Sequence, residues 1–145
     1  MRLLSVYSRD ASDVLWQLLS ERTPEQSISH KRMPTREQHL SFIESRPYLY
    51  WYLVEVAVDC VDDVALDVRN VGAVYLTKQR EIGVGILKQY RGNGYGVKAV
   101  KALMARHPGS FLANVNPKND LSAALFTSMG FKHVQNTFAL EAETT

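Results

Sequence analysis

Apolar and polar positions along the chain change period several times, and each change marks an element. RLLSVY (2–7) has strand character, after which Val14, Leu15, Leu18 and Leu19 recur at helical spacing behind Asp10, predicting a helix through Arg22. The polar stretch ERTPEQSISHKRMP (21–34), with two prolines, reads as a loop or broken helix. Thr35 and Gln38 make a capping-box pattern for a short second helix that Pro47 ends. YLYWYLVEVAV (48–58) is aromatic and β-branched, a strand signal; acidic VDDVALDVRN then reads as a hairpin region leading into the strand VGAVYLTK (71–78). EIGVGIL (81–87) follows a tight turn, and its two glycines leave the strand surface open to a close neighbour. A glycine loop comes next, then a helix to about Arg106 with Val97, Val100, Leu103 and Met104 facing inward. FLANV (111–115) predicts a strand, residues 117–129 a helix ended by Gly130, and FKHVQNTFAL (131–140) a closing strand. This order gives an α/β (α+β) fold: a mixed, mostly antiparallel central sheet with helices on both faces.

The length of 145 residues suits one domain spanning 1–145 with one sizeable core. The net charge of +2 is too small for a general polyanion binder, but its distribution changes the picture. Lys78, Arg80, Lys88, Arg91, Lys98, Lys101 and Arg106 are opposed within that segment only by Glu81. Positive charge gathered around a glycine loop points to a phosphate-bearing ligand; a solvated helix face is the plain alternative for Lys98, Lys101 and Arg106. Cys60 is the only cysteine, so an internal disulfide is impossible, and the scattered His30, His39, His107 and His133 have no metal-ligand spacing. The N-terminal apolar run is too short for a signal peptide, and no stretch approaches the roughly 18 apolar residues of a membrane span. A cytoplasmic protein is the expectation.

The chemistry concentrates in QYRGNGYGVKAVKALM (89–104). A strand, then glycine-rich backbone, then a helix start is a physical recipe for an anion site, because unpaired N–H groups converge there and the helix dipole favours negative charge. A nucleotide P-loop needs Lys and Ser or Thr after its last glycine, whereas Val97 follows Gly96. A dinucleotide fingerprint needs G-x-G-x-x-G early in a βαβ unit, whereas the spacing here is G-x-G-x-G after a meander.

Arg91-Gly92-Asn93-Gly94-Tyr95-Gly96 resembles the R/Q-x-x-G-x-G/A acyl-CoA loop of the GNAT superfamily of N-acetyltransferases. NPKNDLSAALFTSMGF (116–131) resembles that family's N-x-x-S-x-x-L-Y/F-x-x-x-G-F helix, with Asn119, Ser122, Leu125, Phe126, Gly130 and Phe131 at the defining positions. The resemblance covers residues 80–140 by motif. It implies six or seven strands, splayed between the strand at 81–87 and the strand at 111–115. It implies acetyl-CoA as cofactor, its diphosphate at Arg91, Gly92, Asn93, Gly94, Tyr95 and Gly96. Ile86, Leu87, Lys88, Gln89, Asn119, Ser122 and Phe126 would complete the binding site, and a main-chain N–H near Ile86 and Leu87, assigned to Leu87, would serve as oxyanion donor. The PTREQHLSFIES and YWYLVE stretches are similar to branches that acetylate nucleotide-linked amino sugars or ribosomal-protein N-termini.

Within the resemblance, Glu81 stands where several members carry a glutamate base, and alternation puts it on the side of Gly83 and Gly85. A strand-end pair with Arg80 or Lys78 is the structural alternative. Glu55, an acid inside an apolar strand, is a second candidate and would need a partner if buried. Many members have tyrosine where Phe126 stands, and that tyrosine protonates the departing thiolate; phenylalanine has no proton to give, leaving water, Tyr75 or Ser122. For the acceptor amine, His30 and Arg32 in the 21–34 loop, His39 on the second helix, and Tyr52 and Glu55 on the aromatic strand are the expected contacts. The partner is a small-molecule amine, with no nucleic acid, membrane or metal, and the chain works as a monomer or homodimer. A binding domain without catalysis is the rival that Phe126 and the unsettled base support. The basic 78–106 segment alone would support a nucleic-acid module.

Overall fold

The computed structural model describes residues 1–22, 33–62 and 64–142. Its elements run β1 (Arg2–Ser5), α1 (Ser12–Ser20), α2 (Arg36–Glu44), β2 (Tyr50–Val61), β3 (Val64–Leu76), β4 (Glu81–Ile86), a 3₁₀ turn (Lys88–Tyr90), α3 (Tyr95–Arg106), β5 (Leu112–Ala113) and α4 (Asp120–Ser128). The strands lie in chain order in one five-stranded sheet, antiparallel except for the last pair, β4 with β5.

Alternation along the strands sorts side chains to two faces. Tyr52, Val54, Val56, Val71, Val74, Leu76 and Ile82 pack on one face with Ala99, Val100 and Leu103 of α3 and with Phe126 of α4. Trp51, Leu53 and Ala73 pack on the other with Leu15 of α1, and Tyr7, Leu18, Ile43, Tyr48 and Tyr75 flank them. Burying a side chain of this size contributes about 1.5–3 kcal/mol, so these two clusters fix the faces on which the helices sit. Local chemistry agrees with the periodicity at the helix starts and stops. Thr35 accepts from the Gln38 N–H while the Gln38 side chain accepts from Thr35, a complete capping box. Gly130 adopts φ 94° just past α4, a conformation that costs most side chains strain.

One expectation is corrected. Among the described residues the sheet has five strands rather than six or seven, because 131–140 forms no strand: Val134, Phe138 and Leu140 are exposed, and Phe131 is tied down with its ring edge-on to Phe126. The expected hairpin region does form a hairpin, β2 and β3 pairing antiparallel down to Val61↔Val64 with register shifts between Val54 and Glu55 and around Asp59; β3 therefore begins at Val64, earlier than the expected 71. The helix after the glycine loop buries Ala99, Val100 and Leu103, while Val97 stays half-buried near its start.

Candidate functional site

The site lies where β4 and β5 part. They pair only as Glu81↔Leu112 and Ile82↔Ala113, with the Leu112 N–H donating to the Arg80 carbonyl at 2.9 Å. Beyond Ile82 the outer edge of β4 has no strand partner among the described residues, so the two strands part as the resemblance implies, pinned at the Glu81 end. Arg80, at φ 67°, fastens that end by donating to the carbonyls of His107 (2.8 Å) and Ser110 (3.1 Å). It is therefore not the partner of Glu81, which makes no ion pair among the described residues.

Hydrogen-bond parity decides which β4 amides face the gap. The Thr77 N–H donates to the Glu81 carbonyl at 2.9 Å and the Leu87 N–H to the Val71 carbonyl at 2.8 Å; with the register, these place the main-chain groups of Gly83 and Gly85 toward β3 as well. The groups of Val84 and Ile86 then point into the gap. This corrects the assignment of Leu87: its N–H is consumed inside the sheet and its side chain is buried, so it has no donor for an oxyanion. The Ile86 carbonyl is taken by Arg91 Nε at 3.0 Å, and the Lys88 N–H by the Glu21 carboxylate at 2.9 Å. Among the described residues Val84 keeps both of its gap-facing groups; the sequence reading placed the donor near Ile86 and Leu87 from the family resemblance, and the register that sets hydrogen-bond parity is not visible in the sequence.

The loop beyond β4 is open in a different way. Gly92 and Gly94 adopt φ 84° and 76°, and a Cβ at either would meet nothing within 4 Å. Their glycine identity therefore serves backbone conformation and access rather than internal packing. Asn93 holds the turn by donating to the Tyr90 carbonyl at 2.9 Å. The first bond of α3 runs from Lys98 N–H to the Gly94 carbonyl at 3.2 Å, and the N–H groups from Gly92 to Val97 have no protein acceptor among the described residues. Six successive donors at the positive end of a helix form a cradle for an anion. Gly96 differs from its two neighbours: a Cβ there would sit 3.1 Å from Leu125, so it lets α3 approach α4. Tyr95 is half-buried against the core, and Gln89 is exposed in the 3₁₀ turn.

The second motif plays a supporting part. The Asn119 side chain accepts from the Ser122 N–H at 3.1 Å and caps α4. Phe126 is buried in the core, with the Phe131 ring at 5.1 Å.

Of the expected acceptor residues, Glu55, Tyr52 and His39 are engaged elsewhere than at the gap. Glu55 is buried (6% exposed) and paired with Arg2 at 3.5 Å and Arg9 at 3.4 Å beside β1, which supplies the partner a buried acid needs. The Tyr52 hydroxyl meets His107 Nε2 at 2.7 Å at the far end of α3. Burial, then Arg106 and Arg80, hold the His107 imidazole below its ordinary pKa. His39 is buried beside Trp16, with centroids 5.5 Å apart, and its Nε2 has no partner among the described residues. Burial, then Arg36, lower its pKa too. His30 and Arg32 lie outside the described residues. Side chains on β4's own acceptor face come instead from Tyr75, Tyr48 and Leu18.

A gap pinned at one end and an anion cradle at the other suit a ligand with a diphosphate and a long thin arm. The sequence matches the acetyltransferase (GNAT) family over residues 15–131, and the chain belongs to that family, which uses acetyl-CoA. No curated protein matches the sequence significantly. Three solved structures share the fold. A domain from Methanocaldococcus jannaschii DSM 2661 has a TM-score of 0.74 at 20% identity, covering 94% of this chain and 90% of that one. An N-acetyltransferase from Staphylococcus aureus Mu50 has a TM-score of 0.61 at 14% identity, covering 92% and 83%. The protein yncA from Salmonella typhimurium, solved with its cofactor acetyl-CoA, has a TM-score of 0.57 at 19% identity, covering 90% and 77%. Among the described residues no helix is long and apolar enough to cross a membrane.

Proposed function

We propose that this chain is an acetyl-CoA-dependent N-acetyltransferase, one cytoplasmic domain acting alone or as a homodimer on the primary amine of a small molecule. The resemblance of residues 34–45 and 50–55 favours a nucleotide-linked amino sugar as acceptor. The observation that carries the reading is the run of N–H groups from Gly92 to Val97 without an acceptor among the described residues, beside a strand whose outer edge has no partner among them after Ile82. Those amides and the α3 dipole would hold the diphosphate, with Arg91 at the rim. Acetyl-CoA supplies an acetyl group activated as a thioester, so a neutral amine forms its amide bond as the C–S bond breaks and sulfur leaves with the electron pair.

The chain's own residues do the rest. The Val84 N–H faces the gap at mid-strand, where it would stabilise charge developing on the carbonyl oxygen; a donor of this kind contributes about 2.7–4 kcal/mol to lowering the barrier. Glu81, on the acceptor face and free of ion pairs among the described residues, accepts the amine's surplus proton directly or through water. Phe126 has none to offer sulfur, which takes its proton from water; a thiol of pKa about 8.5 leaves tolerably without an acid. An acceptor of pKa about 8 needs little help from a base at neutral pH, whereas a lysine near about 10.4 needs more, which favours an α-amine or amino sugar.

Thiol release from acetyl-CoA across a panel of amino-sugar nucleotides, peptide N-termini and simple amines tests the reading. Turnover with one class is expected. Acetyl-CoA binding without turnover of any amine would make the chain a binding domain, and turnover of peptides alone would make it an N-terminal acetyltransferase.

A further inference from the structure

The face of β4 turned away from α3 is roofed. A methyl group at Gly83 would overlap Cζ, Cε1 and Oη of Tyr75, so the phenol of that β3 residue overhangs β4 at this point. A Cβ at Gly85 would lie 3.4 Å from Leu18 Cδ2. Tyr48 lies parallel to Tyr75, with centroids 3.8 Å apart and 5° between planes, and Trp51 stands edge-on to Tyr48 at 4.8 Å. The Tyr75 hydroxyl sits above Gly83, whose peptide link to the next residue carries the Val84 N–H that faces the gap. Alternation puts the Glu81 carboxylate on the same face, two residues back, about 7 Å along the strand. Burial, with the adjacent Tyr75 phenol, pushes the Tyr48 hydroxyl well above the ordinary phenol pKa, so it stays protonated. The Tyr75 phenol oxygen has lone pairs with which to accept from a ligand's N–H.

We propose that Tyr75 orients the acceptor: its hydroxyl oxygen, overhanging Gly83 and braced by Tyr48, accepts one N–H of the incoming amine while Glu81 takes another. The nitrogen lone pair is thereby turned toward the gap beside Val84. Two N–H groups are needed, so the arrangement selects a primary over an N-methylated amine. The inference rests on the transferase reading above.

The test compares wild type, Tyr75→Phe and Tyr48→Leu with propylamine and N-methylpropylamine as probes. Acetyl-CoA affinity, melting temperature and propylamine binding to the CoA-saturated protein are measured alongside turnover. Tyr75→Phe keeps the ring and the stack. It should leave melting temperature and acetyl-CoA affinity unchanged, lower kcat/KM for propylamine about tenfold, and shrink the preference for the primary amine by a similar factor. Propylamine binding to the CoA-saturated protein should weaken in parallel. Tyr48→Leu keeps the acceptor oxygen but removes the stacked ring that braces it, and should raise KM for propylamine several-fold with acetyl-CoA affinity intact. Unchanged kcat/KM and primary-amine preference in Tyr75→Phe would overturn the role of Tyr75 while the transferase stands. A wild type that binds acetyl-CoA yet acetylates no amine would overturn the transferase reading itself, and this proposal with it.

Discussion

Helices α2 and α3 begin in opposite ways. At α2 the backbone is closed off: Thr35 and Gln38 satisfy each other's orphan groups, and the helix start needs nothing from outside. At α3 the N-cap is Gly94 in the left-handed region, no side chain caps it, and the N–H groups from Gly92 to Val97 have no protein acceptor among the described residues. The same contrast separates the two edges of β4, one laced to β3 along its length and the other free after Ile82. Closed backbone stabilises the fold, and open backbone at these two places is where a ligand can be held.

The largest effect should come from filling the open helix start. Gly94→Glu puts a carboxylate and a strained φ where an anion is to bind, and loss of even two charge-assisted hydrogen bonds predicts at least about a 100-fold fall in acetyl-CoA affinity, read by calorimetry. Undiminished affinity in a folded variant would break the comparison. Next comes the open edge of β4: Val84→Pro deletes a gap-facing N–H without removing a bond to β3, so kcat should drop about 10²–10³-fold while the protein still folds. Thr35→Ala at the closed helix start should cost about 1 kcal/mol in denaturant unfolding and leave acetyl-CoA affinity unaltered. The smallest effect concerns pH. His39 and His107 have folded pKa values below the ordinary 6.5, so the unfolded chain binds their protons more readily. Stability should therefore be full above about pH 6.5 and fall as pH drops below it toward the depressed folded values; His39→Phe should flatten part of that slope in melting curves.

Much of this was legible in the chain. Thr35 with Gln38, the left-handed Gly94 and Gly130, and the aromatic β2 all follow from local rules, and local rules suffice where a residue's neighbours in sequence are its partners in space. The open helix start at Gly94 was legible for the same reason. The surroundings of Gly83 and Gly85 were not, because they are defined by register. Tyr75 reaches Gly83 across a hairpin, and only the pairing of β3 with β4 shows that the glycine makes room for an aromatic ring as much as for a ligand. Glu55 and Tyr52 misled because a polar group in an apolar strand signals a partner without saying which: Arg2 and Arg9 for one, His107 for the other. The last ten residues of the expected sheet have strand-like composition but find no edge to join.

The pin between Arg80–Ile82 and Leu112–Ala113 makes the gap a blind alley. From Val84 back to Ile82 is two residues, about 7 Å, before the strands rejoin. A ligand arm entering from the glycine loop would pass Val84 and meet hydrogen-bonded backbone two residues later, so the gap is closed at the end away from the loop.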